Sequence, residues 1–219
     1  MRRNGDRPGA AELAQMCPDA AKWRTEHPKQ LLVELEHRDE AATLTDPALR
    51  RELHRRVDAD QAARKVMLAS VHDAARGSKV AALDSDNLRW LQTLIARQGL
   101  PTAHQVGISG MHWTWILAQH ADLEPRFQRT LLLAFEKRFA AGELPAEDLA
   151  RLTDRVLVNS GRPQQYGTQF DWYTKEFKLL SRDALIKIEA NRTRLALMPL
   201  NDYVCMMTLR SRQLQAPED

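Results

Sequence analysis

Apolar residues recur every three or four positions along most of the chain, and proline or glycine separates the runs. Asp46-Pro47 offers a capping carboxylate and a proline at a first helical position. This predicts a helix from there to about Arg76, ended by Gly77 and Ser78. Asp84-Ser85-Asp86 reads as the cap of the next helix, with Leu88, Leu91, Leu94 and Ile95 in register until Gly99 and Pro101. Ser109 opens a helix through His120 that carries Trp113, Trp115 and Ile116. Pro125 begins another, where Phe127, Leu131, Phe135 and Phe139 recur at four-residue spacing until Gly142. Further helices are predicted from Pro145 to about Val156 and from Asp183 to Leu195, the latter stopped by Met198-Pro199. Tyr166 to Leu180 alternates instead, with Phe170, Trp172 and Phe177, and predicts a two-stranded hairpin. Ahead of all this, residues 10–45 read as two short helices broken at Pro18 and Pro28, docking through Trp23, Leu31, Leu32 and Leu35.

The predicted fold is therefore mainly α. An N-terminal extension with short helices covers 1–45. A single globular helical domain covers 46–210, with one small β-hairpin near the C-terminal third, and 211–219 form a tail. A chain of 219 residues suffices for one well-buried domain. The net charge is +3 and the two signs are interspersed, as where Arg50-Arg51 and Arg55-Arg56 alternate with Glu52 and Asp58. No basic stripe results, so no nucleic-acid partner is expected. No run approaches the roughly 20 apolar residues that span a bilayer, and the N-terminus lacks the apolar core of a signal peptide. Cys17 and Cys205 stand apart without a CxxC partner, which excludes a cysteine-rich zinc site and fits a reducing cytoplasm better than a disulfide scaffold. The expectation is a cytoplasmic protein with no membrane partner.

Candidate chemistry comes from polar residues that interrupt the apolar faces. Leu49, Leu53 and Val57 form a stripe that Leu68 and Val71 resume, and Asp60, Gln61 and Arg64 fall on the same inward face between them. Buried charges need partners, so these groups either line a polar pocket or simply pair as Asp60 with Arg64. His120 continues the row of His112 and Ile116 and meets the following loop. It is either a core histidine bonded to a carbonyl or, with Asp122 two residues on, a base and its orienter. Asp122 can equally cap the adjacent helix. HxD offers only two metal ligands, so no metal is expected.

Asp154-Arg155 ends its helix and leads into Gly161–Gln169, GRPQQYGTQ. Arg155 could clamp an anion or form a helix-terminal ion pair, with Asp154 pairing locally. Gly161 and Gly167 permit turns that fold Gln164, Tyr166, Thr168 and Gln169 over, to face a ligand or their own backbone. No GxSxG, P-loop, GxGxxG or HExxH is present, and the tryptophan and methionine clusters read as core.

In order, Asp60-Gln61 with Arg64, Asp86-Asn87, Gly99-Leu100-Pro101-Thr102, Gly107, Gln119-His120-Ala121-Asp122, Gln128, Asp154-Arg155, and Pro163-Gln164 with Tyr166–Gln169 resemble a bacterial domain family of unknown function. Its signatures are DQxxR, QHAD, DR and PQxYGTQ, and the resemblance spans roughly 46–204. The chain departs from it at Leu100, where such proteins often carry tryptophan, and in its longer N-terminal extension. In size and in lacking a familiar motif, the chain also resembles the larger subunit of two-component enzymes that close aziridine rings in azinomycin-like antibiotic pathways.

That second resemblance implies a lyase-type ring closure, an amine displacing sulfate within one molecule, and a smaller partner subunit. The expected enzyme needs no cofactor and acts on a small polar or anionic metabolite. His120, Asp122 and Asp60 are its catalytic residues; Gln61, Arg64, Asn87, Asp154, Arg155, Gln164, Tyr166, Thr168 and Gln169 bind substrate. A non-catalytic assembly subunit and a histidine-dependent hydrolase are the alternatives.

Overall fold

In the computed structural model the described residues are 9–28, 39, 43–69, 74–170 and 182–214. Among them the chain forms nine helices and no strand: α1 (Ala10–Met16), α2 (Pro18–Glu26), α3 (Pro47–Leu68), α4 (Ala74–Gln98), α5 (Ala103–Gln119), α6 (Pro125–Ala140), α7 (Ala146–Asn159), α8 (Arg182–Arg194) and α9 (Leu200–Leu214). None is long and apolar enough to cross a membrane.

α5 sits at the centre and packs against α3, α4, α6 and α7. Its Val106, Met111, Trp115, Leu117 and Ala118 meet Leu53 of α3, Leu91 of α4, Leu131 and Phe135 of α6 and Leu152 of α7 in one core. α3 starts as its sequence dictates: the Asp46 carboxylate accepts a hydrogen bond from the Leu49 amide at 2.9 Å, and Pro47 occupies the first turn. Leu49, Leu53, Val57 and Asp60 then face inward together.

Three expectations about helix ends change. α3 stops at Leu68, not near Arg76, and α4 runs straight through Gly77 and Ser78. Ser78 returns its hydroxyl to the Ala74 carbonyl at 2.9 Å, and burial of Val80, Leu88 and Leu91 outweighs the poor helix propensity of both residues. Asp84-Ser85-Asp86 consequently lies within the helix and caps nothing. α5 begins directly after Thr102, which forms a capping box with Gln105, and it kinks at Gly107, where φ is +76°. The Asp39 carboxylate caps the resumed helix, accepting from the Ile108 amide at 2.6 Å and the Ser109 amide at 2.8 Å. The start expected at Ser109 is thus the second segment of a helix already under way.

The hairpin over Tyr166–Leu180 has no counterpart among the described residues. Tyr166–Phe170 is irregular because the Tyr166 and Thr168 amides bond to a carboxylate and the Gln169 amide to the Gln164 side chain instead of a neighbouring strand, and the remainder lies outside the described residues. Leu31, Leu32 and Leu35 lie outside them too.

A second apolar cluster joins Leu13, Cys17 and Ala20 of the N-terminal helices to Met198, Tyr203, Met207 and Leu209 around α9. Here the sequence expectation of separate thiols is corrected. Cys17 and Cys205 form a disulfide across 188 positions, with Cα atoms 5.9 Å apart. Such a long closed loop removes much denatured-chain entropy, so reduction or Cys17→Ser is expected to lower stability by about 2–5 kcal/mol, read as a drop in denaturant midpoint. An unchanged midpoint on reduction would contradict the pairing.

Candidate functional site

Two polar clusters meet at the end of α5. His120 terminates that helix, and its Nδ1 lies 3.2 Å from Asp60 Oδ1 and 3.1 Å from Oδ2 on α3. The Asp60 side chain is 1% exposed, whereas that of His120 is 18% exposed, so the carboxylate stands behind the ring and the ring faces outward. Gln61 Nε2 donates to Asp60 at 2.8 Å, and Arg64 Nε donates to both its oxygens at 3.2 and 3.3 Å. Burial alone would raise the Asp60 pKa, but His120, Arg64 and Gln61 together hold it below the ordinary value. An ionised carboxylate only accepts, so Nδ1 carries the proton in this pair. No described residue bonds the other ring nitrogen, Nε2.

Arg64 also reaches Asp84 on α4. Burial dominates at Asp84 and raises its pKa despite Arg64 and His120. Asp60, Asp84 and His120 have ligand atoms within 4.8 Å of one another, a donor set of the kind that holds a divalent cation. In the described arrangement the Arg64 guanidinium supplies positive charge to both carboxylates. Two carboxylates against one guanidinium leave the cluster net negative while His120 is neutral, which favours a cationic or amine-bearing ligand.

Asp122, two residues beyond His120, belongs to the second cluster. It accepts from Arg155 Nε at 3.0 Å and also from Arg155 Nη2, from Asn159 at 2.7 Å and from Gln128 at 3.2 Å. Fully buried Gln128 further donates to the carbonyls of Ala118 and Gln119, so it holds the turn that carries His120 and Asp122. Arg155 Nη1 extends to Gln169 Oε1 at 3.4 Å. Asp122 therefore pairs with Arg155, and His120 takes its carboxylate partner from Asp60, 60 positions away. Burial pushes the Asp122 pKa up, but Arg155, Asn159 and Gln128 outweigh it and hold it below 3.8. Its share of stability is complete above pH 3.8 and is lost as pH falls through the depressed folded value. Asp122→Asn is expected to flatten the loss of stability below about pH 4, measured by urea unfolding across a pH series. An unchanged acid limb would contradict the pairing.

The GRPQQYGTQ loop is organised from beneath. Asp154, fully buried on α7, accepts from the amides of Gln165 (2.7 Å), Tyr166 (3.0 Å) and Thr168 (2.8 Å), and from the Thr168 hydroxyl at 2.8 Å. Burial raises its pKa against these four donors. Gln164 and Gln169 clasp each other, the Gln169 amide donating to Gln164 Oε1 at 2.7 Å. Gly167 takes φ +65° where a Cβ would meet Leu200 at 2.9 Å, so glycine is required twice over. Asp154, Tyr166 and Thr168 build the loop; Gln169 is the member that reaches the Asp122 cluster.

Asn87, one turn beyond Asp84, has no hydrogen bond to either cluster; it accepts from Arg56 at 3.0 Å, and its buried Nδ2 has no partner. Gln119 Oε1 is likewise buried and unpaired, one residue from His120. Unsatisfied buried polar atoms are uncommon, and these two are available to a ligand or water.

Sequence reasoning missed Asp84, Asn159 and the His112–Asp148 pair (2.6 Å), in which α5 is tied to α7 and the imidazole stacks on Trp115. Asp84 carried a usable signal, lying four positions before Leu88 and seven before Leu91 on one helical row.

No curated protein and no solved structure matches the chain. A family model does match, over residues 47–211, a span that contains both clusters and the loop but not α1 or α2. The chain therefore belongs to that family, described as a family of unknown function (DUF6624).

Proposed function

We propose that the chain is a small-molecule enzyme acting on an amine-bearing metabolite, with His120 as general base and buried Asp60 as the group that orients it. The observation that carries this reading is the pairing of Asp60 with His120 Nδ1, with no described partner on Nε2 of a part-exposed ring. A carboxylate that fixes the tautomer leaves the other nitrogen basic and aimed at substrate. The negative cluster of Asp60 and Asp84 around Arg64 holds the amine close.

Within this class we favour ring closure by displacement of sulfate, the reaction implied by the resemblance to aziridine-forming subunits. The amine lone pair forms the N–C bond as the C–O bond breaks, and sulfate departs with that electron pair. His120 Nε2 takes the proton released from nitrogen. In this reading Arg155, the partner of Asp122, receives the leaving anion with Gln169 by turning one N–H from its present partner. Fixing amine and leaving group in line accounts for most of the acceleration such a reaction needs.

The test is incubation with 2-aminoethyl sulfate, following inorganic sulfate and the organic product. Sulfate with aziridine is the expected result, abolished by His120→Gln. Sulfate with ethanolamine would mean that water is the nucleophile and overturn ring closure. Sulfate release unaffected by His120→Gln would overturn the assignment of the base.

A further inference from the structure

Away from His120, a small cleft open to solvent lies where α2 meets the C-terminal helices. Trp23, Leu197, Met198 and Met206 give it an apolar wall, and Arg192 lies among its polar lining residues. Arg192 is the unusual member. It is 2% exposed, donates Nε to the Met198 carbonyl at 2.6 Å and Nη1 to the Tyr166 carbonyl at 2.7 Å, and sits 4.8 Å over the Tyr203 ring. Both bonded partners are neutral. No carboxylate lies within salt-bridge distance among the described residues, and Nη2 has no partner there. Glu189, Glu147 and Asp154 act on it from beyond ion-pair distance, yet burial is the largest influence and lowers its pKa, as expected for a guanidinium taken out of water without a contacting counter-ion. Glu147, the acidic group in the lining, pairs with Arg151.

We propose that this cleft binds a small organic anion with an apolar body, its carboxylate received by the free edge of Arg192 and its hydrocarbon or aromatic part laid against Trp23 and Met206. An apolar wall with one fixed polar group is the usual composition of small-molecule sites. The wall contributed by α2 is covalently tied: Cys17, immediately before α2, is bonded to Cys205, one residue from Met206. Oxidation therefore holds Trp23 and Arg24 over the cleft. This site uses none of the acid–base residues around His120, so it stands or falls independently of the proposed reaction.

Calorimetric titration of the oxidised full chain with 3-phenylpropionate tests the proposal, with 3-phenylpropanamide as the neutral analogue of equal shape. Saturable binding of the acid is expected, with the amide weaker by about tenfold or more, since a charge-assisted bond is replaced by a neutral one. Trp23→Ala and Arg192→Met are each expected to weaken the acid by about tenfold or more. Trp23 lies on an appended helix that can be altered without touching the main core, so its variant keeps the test decisive should Arg192→Met fail to fold. Equal affinity for acid and amide, binding unchanged by Trp23→Ala, or no saturable binding to the oxidised wild-type chain would each overturn the assignment.

Discussion

His120→Gln is expected to lower sulfate release from 2-aminoethyl sulfate by about 10²–10⁴-fold, the usual worth of a positioned general base. The melting temperature should barely move. Glutamine can still direct an N–H at Asp60, so the 1%-exposed carboxylate keeps a donor, along with Gln61 and Arg64. The imidazole itself is partly exposed, so little apolar burial is lost. Asp60→Asn acts on the same step through the histidine. It removes the charge that fixes Nδ1–H, so it should reduce the rate constant for turnover more than it raises the Michaelis constant. Rates unchanged in either variant would contradict a catalytic pair, and parallel losses of rate and melting temperature would indicate a purely structural one.

Asp154→Ala has the largest expected effect on the fold. Three backbone amides and one hydroxyl converge on this single buried carboxylate, and truncation leaves all four without this acceptor, the Tyr166 amide and both Thr168 donors being buried. Each orphaned buried donor costs about 1–3 kcal/mol, and local rearrangement recovers part of the total, so a net loss of about 3–5 kcal/mol is expected. For a chain of this length that is a fall in melting temperature of about 10 °C. Gln169 would lose its fixed approach to Arg155, so activity should fall even below the transition. Asp154→Asn retains an acceptor oxygen and should fall in between. A melting temperature unaffected by Asp154→Ala would show that the loop is held by something other than this carboxylate.

What could be read from the sequence followed from local rules. The stripe Leu49, Leu53, Val57 brought Asp60 inward by spacing alone, and proline with a capping aspartate marked where α3 begins. The same rules misread Asp84. An Asp-Ser-Asp triplet after Gly77-Ser78 has the composition of a cap, but tertiary burial along Val80, Leu88 and Leu91 carried the helix through it. Partner identity was the less legible half of the site. HxD spacing suggested that Asp122 orients His120; instead each pairs across the bundle, His120 with Asp60 and Asp122 with Arg155. The loop was marked by its polar density, yet whether those groups face a ligand or their own backbone depended on Asp154 beneath them. The Cys17–Cys205 bond joins residues 188 positions apart, and no local pattern announces it.

The central claim is that Asp60 fixes His120 so that Nε2 is left bare as a base. Two-bond proton–nitrogen correlation spectra of the ¹⁵N-histidine-labelled chain, with the signal assigned through His120→Gln, read the tautomer directly. The neutral ring should carry its proton on Nδ1; a proton on Nε2, the form that free histidine prefers, would contradict the account.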